Sequence, residues 1–208
     1  MILGCRPLEG LTGHEAGRRL LESLYRAQTG EALPAVAIAP GGKPYFENSP
    51  WHFSISHTRR RVFCVLAREN VAVDAEELDR PINLRLAEKI LSPGEKRQFD
   101  DAPDKRRALL TFWVRKEAEA KLSGLGLRGY PKDTSFSLED SRVTEREGCL
   151  VAVLSAGDYE TQGGTHGTSC SGRSQPLPRL QKADVSGGLP HPHQYPGGHP
   201  SAQGKPDG

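Results

Sequence analysis

Asp74 and Glu76 stand two positions apart in "VAVDAEEL", at the end of a short apolar run. Side chains alternate across a strand, so both carboxylates point to one face with Ala72 beneath them. The ordinary reading of such a pair is a strand running into a solvated turn. A second charged pair lies further on. In "DKRRALLTFWVRKEAEAKLSGLG", Leu109, Leu110, Trp113 and Val114 form one helical stripe, and the same spacing continues to Glu117 and Lys121. A core-facing stripe that turns charged is costly unless the charges are paired or bind something. The alternative is an i,i+4 surface pair, worth only about 0.3–0.5 kcal/mol. If Glu117 converges with Asp74 and Glu76, three carboxylates make a reasonable Mg²⁺ site, because magnesium takes oxygen ligands and shares its shell with substrate phosphates. Lys121, with His57 and Lys43 from elsewhere, would supply positive contacts to those phosphates. Together these residues suggest phosphoryl-group chemistry.

The elements that must position them read as α+β. "GHEAGRRLLESLYRAQTG" is a helix closed by Gly30, "AVAIAPGGKPYF" a strand and turn, and "WHFSISHT" with "RRVFCVLAREN" a hairpin. The strand of Asp74 follows, then a helix over "NLRLAEKIL". Another begins at Ser92 as N-cap with Pro93 in its first position, and the longest helix ends at Gly124. "TSFSLED" and "GCLVAVLS" are predicted strands. Antiparallel hairpins are available and no βαβ unit repeats, so the layout is not doubly wound. We expect residues 1–70 and 71–156 to form two halves of one domain. Residues 157–208, rich in Gly, Pro, Ser and Gln, are expected to be a disordered low-complexity tail, and its His191, His193 and His199 are read as incidental.

The 208 residues carry 28 basic and 26 acidic side chains, a net charge of +2, which gives no whole-chain field to suggest nucleic acid or a membrane surface. The four cysteines, 5, 64, 149 and 170, show no metal-ligand spacing. Cys64 and Cys149 sit in apolar runs as buried thiols, which favours a reducing compartment. With no signal-like N-terminus and no apolar stretch of about 18 residues, the expectation is a cytoplasmic protein.

"GGKPYFENSPWHFSISHT", "VAVDAEEL" and "FWVRKEAEAKLSGLGL" resemble, in order and spacing, the three signatures of the 4′-phosphopantetheinyl transferase superfamily, over about residues 16 to 155. The layout resembles the larger, surfactin-type branch: a monomer of two pseudo-symmetric halves, each with small antiparallel sheets and a long helix. The resemblance implies transfer of phosphopantetheine from coenzyme A to a serine of an acyl or peptidyl carrier protein, with release of adenosine 3′,5′-bisphosphate. It implies Asp74, Glu76 and Glu117 as Mg²⁺ ligands, Glu117 also as general base, and Lys121 as the residue on the pyrophosphate and leaving group. Lys43, Ser56 and His57 would hold the CoA phosphates, joined by Arg18 at the 3′-phosphate. Glu95 matches a supporting acidic position, Lys116 fits the motif, and Trp113 is expected in the core. Three features depart from the pattern: Ala72 where the family has Gly, a short N-terminus, and a tail that matches nothing. They motivate the alternative of a homologue that binds CoA or a carrier without transferring. A metal-dependent phosphoesterase ranks third, since no added His/Asp cluster is visible to activate water.

Overall fold

The N-terminal residues, which the sequence patterns left unassigned, begin the first sheet. In the computed structural model, which describes residues 1–124 and 135–160, strand β1 (Ile2–Pro7) pairs antiparallel with β5 (Arg61–Ala67), and β5 pairs with β4 (His52–His57). Helix α1 (Gly13–Thr29) packs on this sheet. Its start is fixed by a capping box, in which the Glu15 N–H donates to Thr12 Oγ1 and the Thr12 N–H donates to Glu15 Oε2. Gly30, at φ 77°, closes it in the left-handed conformation that glycine adopts without penalty. A small hairpin, β2 (Val36–Ile38) with β3 (Pro44–Phe46), carries the "GGKP" turn.

The second sheet has β6 (Val71–Glu77) and β7 (Val143–Arg146) on either side of β8 (Cys149–Ser155). Within each sheet the last strand in sequence lies between the first and the second, in the orders β1-β5-β4 and β6-β8-β7. A long helix leads into the second strand's half in each case: α1 in the first, α4 (Lys105–Ser123) in the second. A 3₁₀ turn (Leu84–Leu86), α2 (Ala87–Ile90) and α3 (Pro93–Asp101) connect β6 to α4, and a helical turn α5 (Gly157–Glu160) follows β8. The chain divides into two units, Met1–His166 and Gly167–Gly208, and all these elements belong to the first. The tail expected to be disordered from residue 157 instead begins with the helical turn of α5, and residues 161–208 lie outside the described residues.

The core is layered. Val62, Cys64 and Leu66 of β5 pack on α1, while Phe63, Val65 and Ala67 face Val71, Val73 and Ala75 of β6. On its other face β6 presents Ala72 to Leu110, Val114 and Ala118 of α4. A strand buried on both faces must be apolar throughout, which is why "RVFCVLA" lacks alternation. Cys64 and Cys149 are buried as expected, and burial pushes the Cys64 thiol up to about 12, so it is inert. The methyl of Ala72 sits within this cluster beside the small side chains of Ala118 and Ala152.

"TSFSLED" is not a strand over its described part, residues 135–140. Its backbone is held by side chains of α3 instead: the Phe136 N–H donates to Glu95 Oε1 and the Leu138 N–H to Gln98 Oε1. Alternating apolar residues are enough to suggest a strand, but pairing is what makes one, and here the partners are carboxylate and amide groups.

Asp140 then anchors this segment to α4. Arg115, only 1% exposed on its side chain, donates from Nε to Asp140 Oδ2 at 2.9 Å and from Nη1 to Glu119 Oε2 at 2.7 Å, and stacks on Phe136. Burial raises the Asp140 carboxyl, but hydrogen bonds from Arg142 and Arg115 outweigh it and hold the group at about 2. A depressed carboxylate stabilises the fold above its unfolded value and loses that contribution as pH falls through the folded value. The stabilisation is therefore expected to disappear between roughly pH 4 and pH 2. Asp140→Asn is expected to lower stability at neutral pH and to flatten the acid dependence over that window. Urea unfolding of both proteins at several pH values checks it.

Candidate active site

Asp74 comes from the centre of β6, the edge strand of its sheet. Edge strands leave backbone N–H groups unpaired, and here serines of β4 meet them. Ser54 Oγ accepts from the Val73 N–H at 3.1 Å and Ser56 Oγ accepts from the Ala75 N–H at 3.2 Å. The Ser56 hydroxyl then donates to Asp74 Oδ1 at 2.9 Å. The two serines of "FSISH" thus join the two sheets, and Ser56 fixes the Asp74 carboxylate.

From the opposite side Lys121, on the last turn of α4, donates to Asp74 Oδ1 at 2.7 Å and to the Val73 carbonyl at 3.2 Å. The alternative of an i,i+4 surface pair with Glu117 is not what forms; Lys121 reaches across to β6 instead. Glu117 lies one turn earlier on α4. Burial and the neighbouring Asp74 charge push its carboxyl above the ordinary value, and Lys121 and Arg80 pull it part of the way back. A raised carboxyl beside a second carboxylate is the electrostatic mark of a site that accepts a cation or handles a proton.

Glu76 shares the β6 face with Asp74, as alternation requires. It forms an ion pair with Arg80 Nη1 and accepts from the Trp113 indole Nε1 at 3.2 Å. Arg80 also lies over the Trp113 ring, with its guanidinium carbon 5.9 Å from the centroid. Trp113 therefore touches the site through its N–H while its ring joins the α4 packing, and it is more than the core residue expected from its place in the helical stripe. Arg80, four residues after Glu76, was not singled out in the sequence; its i+4 spacing would signal it only if the chain beyond β6 were known to turn back.

Two clefts open onto these groups. One of about 270 Å³ is lined by Gly41, Gly42, Lys43, Ile55, Glu117 and Lys121. The other, about 660 Å³, is lined by Thr12, Gly13, His57, Arg59, Glu76 and Arg80. Glycine is favoured at one lining position of each. A Cβ on Gly41 would lie 2.1 Å from the Gly124 carbonyl oxygen, and one on Gly13 would lie 2.4 Å from the His57 ring. The imidazole is thus seated against the first turn of α1.

The remaining expected residues are placed as follows. Lys43 reaches the start of β6 and the end of α4, donating to Asn70 Oδ1 at 2.5 Å, the Val71 carbonyl at 3.2 Å and the Leu122 carbonyl at 3.5 Å. Burial lowers its pKa. Arg18 is exposed on α1, off its buried face, and makes no hydrogen bond or ion pair among the described residues. Glu95 is 0% exposed, paired with Lys116 of α4, and accepts from the Ser92 and Phe136 N–H groups.

The donor chemistry suits a hard divalent cation: Asp74 and Glu76 on one strand face and Glu117 beside Asp74 are carboxylate oxygens, accompanied by two protein cations, Lys121 and Arg80. As they stand, no three His, Cys, Asp or Glu side chains among the described residues are grouped closely enough to hold a metal ion. Asp74 is turned to Lys121 and Glu76 to Arg80. No described helix is long and apolar enough to cross a membrane.

Residues 70–164, the stretch with Asp74, Glu76, Glu117 and Lys121, match the 4′-phosphopantetheinyl transferase superfamily. A 4′-phosphopantetheinyl transferase of Bacillus subtilis is 33% identical over 126 residues, covering 55% of this chain and 55% of the relative. The 4′-phosphopantetheinyl transferase Sfp of Bacillus subtilis strain 168 is 36% identical over 109 residues, covering 50% of this chain and 47% of the relative. The chain thus spans about half the length of the curated relatives it matches. The "GGKP" and "FSISH" segments lie outside the stretch that matches the superfamily.

Proposed function

We propose that this chain is a 4′-phosphopantetheinyl transferase that moves the phosphopantetheine group of coenzyme A onto a serine of an acyl or peptidyl carrier protein. The observation that carries this reading is the meeting of Asp74, Glu117 and Lys121 between β6 and α4, within the stretch that resembles the superfamily. In the reaction the carrier serine oxygen bonds to the pantetheine-side phosphorus of CoA. The pyrophosphate P–O bond breaks, and adenosine 3′,5′-bisphosphate leaves. Glu117, with its raised carboxyl, takes the serine proton. The Lys121 ammonium, one helical turn after Glu117, neutralises charge that develops on the leaving phosphate. Ser56 holds Asp74 in place, and the His57 imidazole and the Arg18 guanidinium would donate hydrogen bonds to CoA phosphates. Lys43 keeps the "GGKP" turn against α4. Mg²⁺ held by Asp74, Glu76 and Glu117 would add charge neutralisation on the pyrophosphate.

The shared strand order of the two sheets supports the pseudo-symmetric two-half layout of the surfactin-type branch, for which a cytoplasmic monomer is the expected form. Intact-mass spectrometry of an apo carrier protein, after incubation with CoA, Mg²⁺ and this protein, tests the reading. A gain of the phosphopantetheine mass supports it. CoA binding without transfer to several carriers would favour a non-catalytic homologue, and no CoA binding would overturn both.

A further inference from the structure

The proposed activity leaves the pairing of Glu76 unexplained. A metal ligand should present a free carboxylate, yet Glu76 is held by two donors, the Arg80 guanidinium and the Trp113 indole N–H. Arg80 acts on more than one acid: its charge also lowers the Glu117 carboxyl, so it lies within electrostatic reach of two of the three site carboxylates. Lys121 is ion-paired with Asp74 and lies within electrostatic reach of Glu117. The site in this form is a set of three anions balanced by two internal cations. A divalent ion entering it competes with both.

The two cations are not equivalent. Lys121 is also tied to the Val73 carbonyl and arises from α4, a helix buried on most sides, so it stays beside Asp74 when charges change. Arg80 sits just past the end of β6, its side chain 40% exposed, and lines the larger cleft beside His57 and Arg59. Its guanidinium can leave Glu76 by rotating into that cleft, without moving a buried element.

We infer that Arg80 is a latch on the metal site: it occupies Glu76 in the metal-free protein, is exchanged for the divalent cation, and on release turns its guanidinium into the cleft that holds His57. The inference rests on the metal reading of Asp74, Glu76 and Glu117. Trp113 is its reporter, because the indole N–H and the guanidinium contact the same carboxylate oxygen of Glu76. The chain has two tryptophans, so replacing Trp51 by Phe leaves Trp113 as the sole indole emitter.

The experiment titrates the full-length Trp51→Phe protein with Mn²⁺, following Trp113 emission and, in parallel, free Mn²⁺ by electron paramagnetic resonance. No substrate is added. Arg80→Gln and Arg80→Lys are compared in the same background, with circular-dichroism melts to confirm folding. The latch requires that Mn²⁺ change Trp113 emission along the same isotherm as ion uptake. It also requires Arg80→Gln to bind Mn²⁺ about tenfold more tightly, the effect of removing a competitor worth about 1.4 kcal/mol. Arg80→Lys, which keeps the charge but loses the planar contact with Glu76 and Trp113, should fall between. Equal Mn²⁺ affinity in all three proteins would overturn the latch and leave the metal site standing. Absence of Mn²⁺ binding in all three would overturn the metal reading and the latch with it.

Discussion

Glu117→Gln is expected to remove the proposed carrier modification almost entirely while the protein stays folded. The substitution keeps the size of the side chain and its place one turn before Lys121, so Asp74 remains paired with Lys121 and Ser56. On the proposed reading it removes two things together: the base for the serine proton, and one of the three carboxylates proposed to hold a divalent ion. General-base catalysis alone contributes roughly 10²–10⁴-fold, and loss of an anionic metal ligand adds to that. The expected result is a fall of at least about 10³-fold in the rate of phosphopantetheine transfer, with the melting temperature unchanged or raised. A rise is expected because Glu117 is a half-buried carboxylate next to Asp74, and its neutral isostere relieves that repulsion. Stability and activity moving in opposite directions distinguishes a catalytic carboxylate from a structural one. Transfer at the native rate by Glu117→Gln would remove it from the chemistry.

This site was legible in the sequence because each of its parts obeys a local periodicity. Alternation put Asp74 and Glu76 on one strand face, and the three-and-four spacing put Glu117 and Lys121 on the stripe that meets Leu110 and Val114. The fold was legible for the same reason wherever caps and periods agree, as in α1, α3 and α4. Illegible were the features set by partners distant in the chain. Strand β1 is a six-residue segment whose only credential is that β5 needs a neighbour. The "TSFSLED" segment alternates like a strand but finds α3 side chains instead of a strand. Lys43 and Ser56 read as ligand-holding groups from their motifs. In the fold Lys43 already meets three oxygen atoms and Ser56 already bridges Asp74 and β6, contacts that no spacing rule reveals.

Glu95 and Lys116 show the same limit at larger energetic cost, since both are nearly inaccessible and paired at 2.8 Å. The Glu95 carboxylate also accepts from the Ser92 N–H at 2.9 Å and the Phe136 N–H at 3.1 Å. One side chain therefore caps α3, fixes the segment after α4 and neutralises a buried ammonium. Truncating one partner of a buried pair leaves the other charged in an apolar setting, at a cost of about 3–5 kcal/mol, whereas replacing both with apolar groups of similar volume is often far milder. Glu95→Ala is expected to lose about that much in urea unfolding, with Lys116→Met comparable. The double variant Glu95→Leu/Lys116→Met should recover part of the loss, though not the two backbone hydrogen bonds. Divalent-ion affinity, measured by Mn²⁺ uptake under conditions where each variant is folded, should match that of the native chain, because the Glu95 carboxylate is bonded to Lys116, Ser92 and Phe136. A drop in Mn²⁺ affinity in the folded double variant would instead make Glu95 a support of the metal ligands, acting through α4 on Glu117.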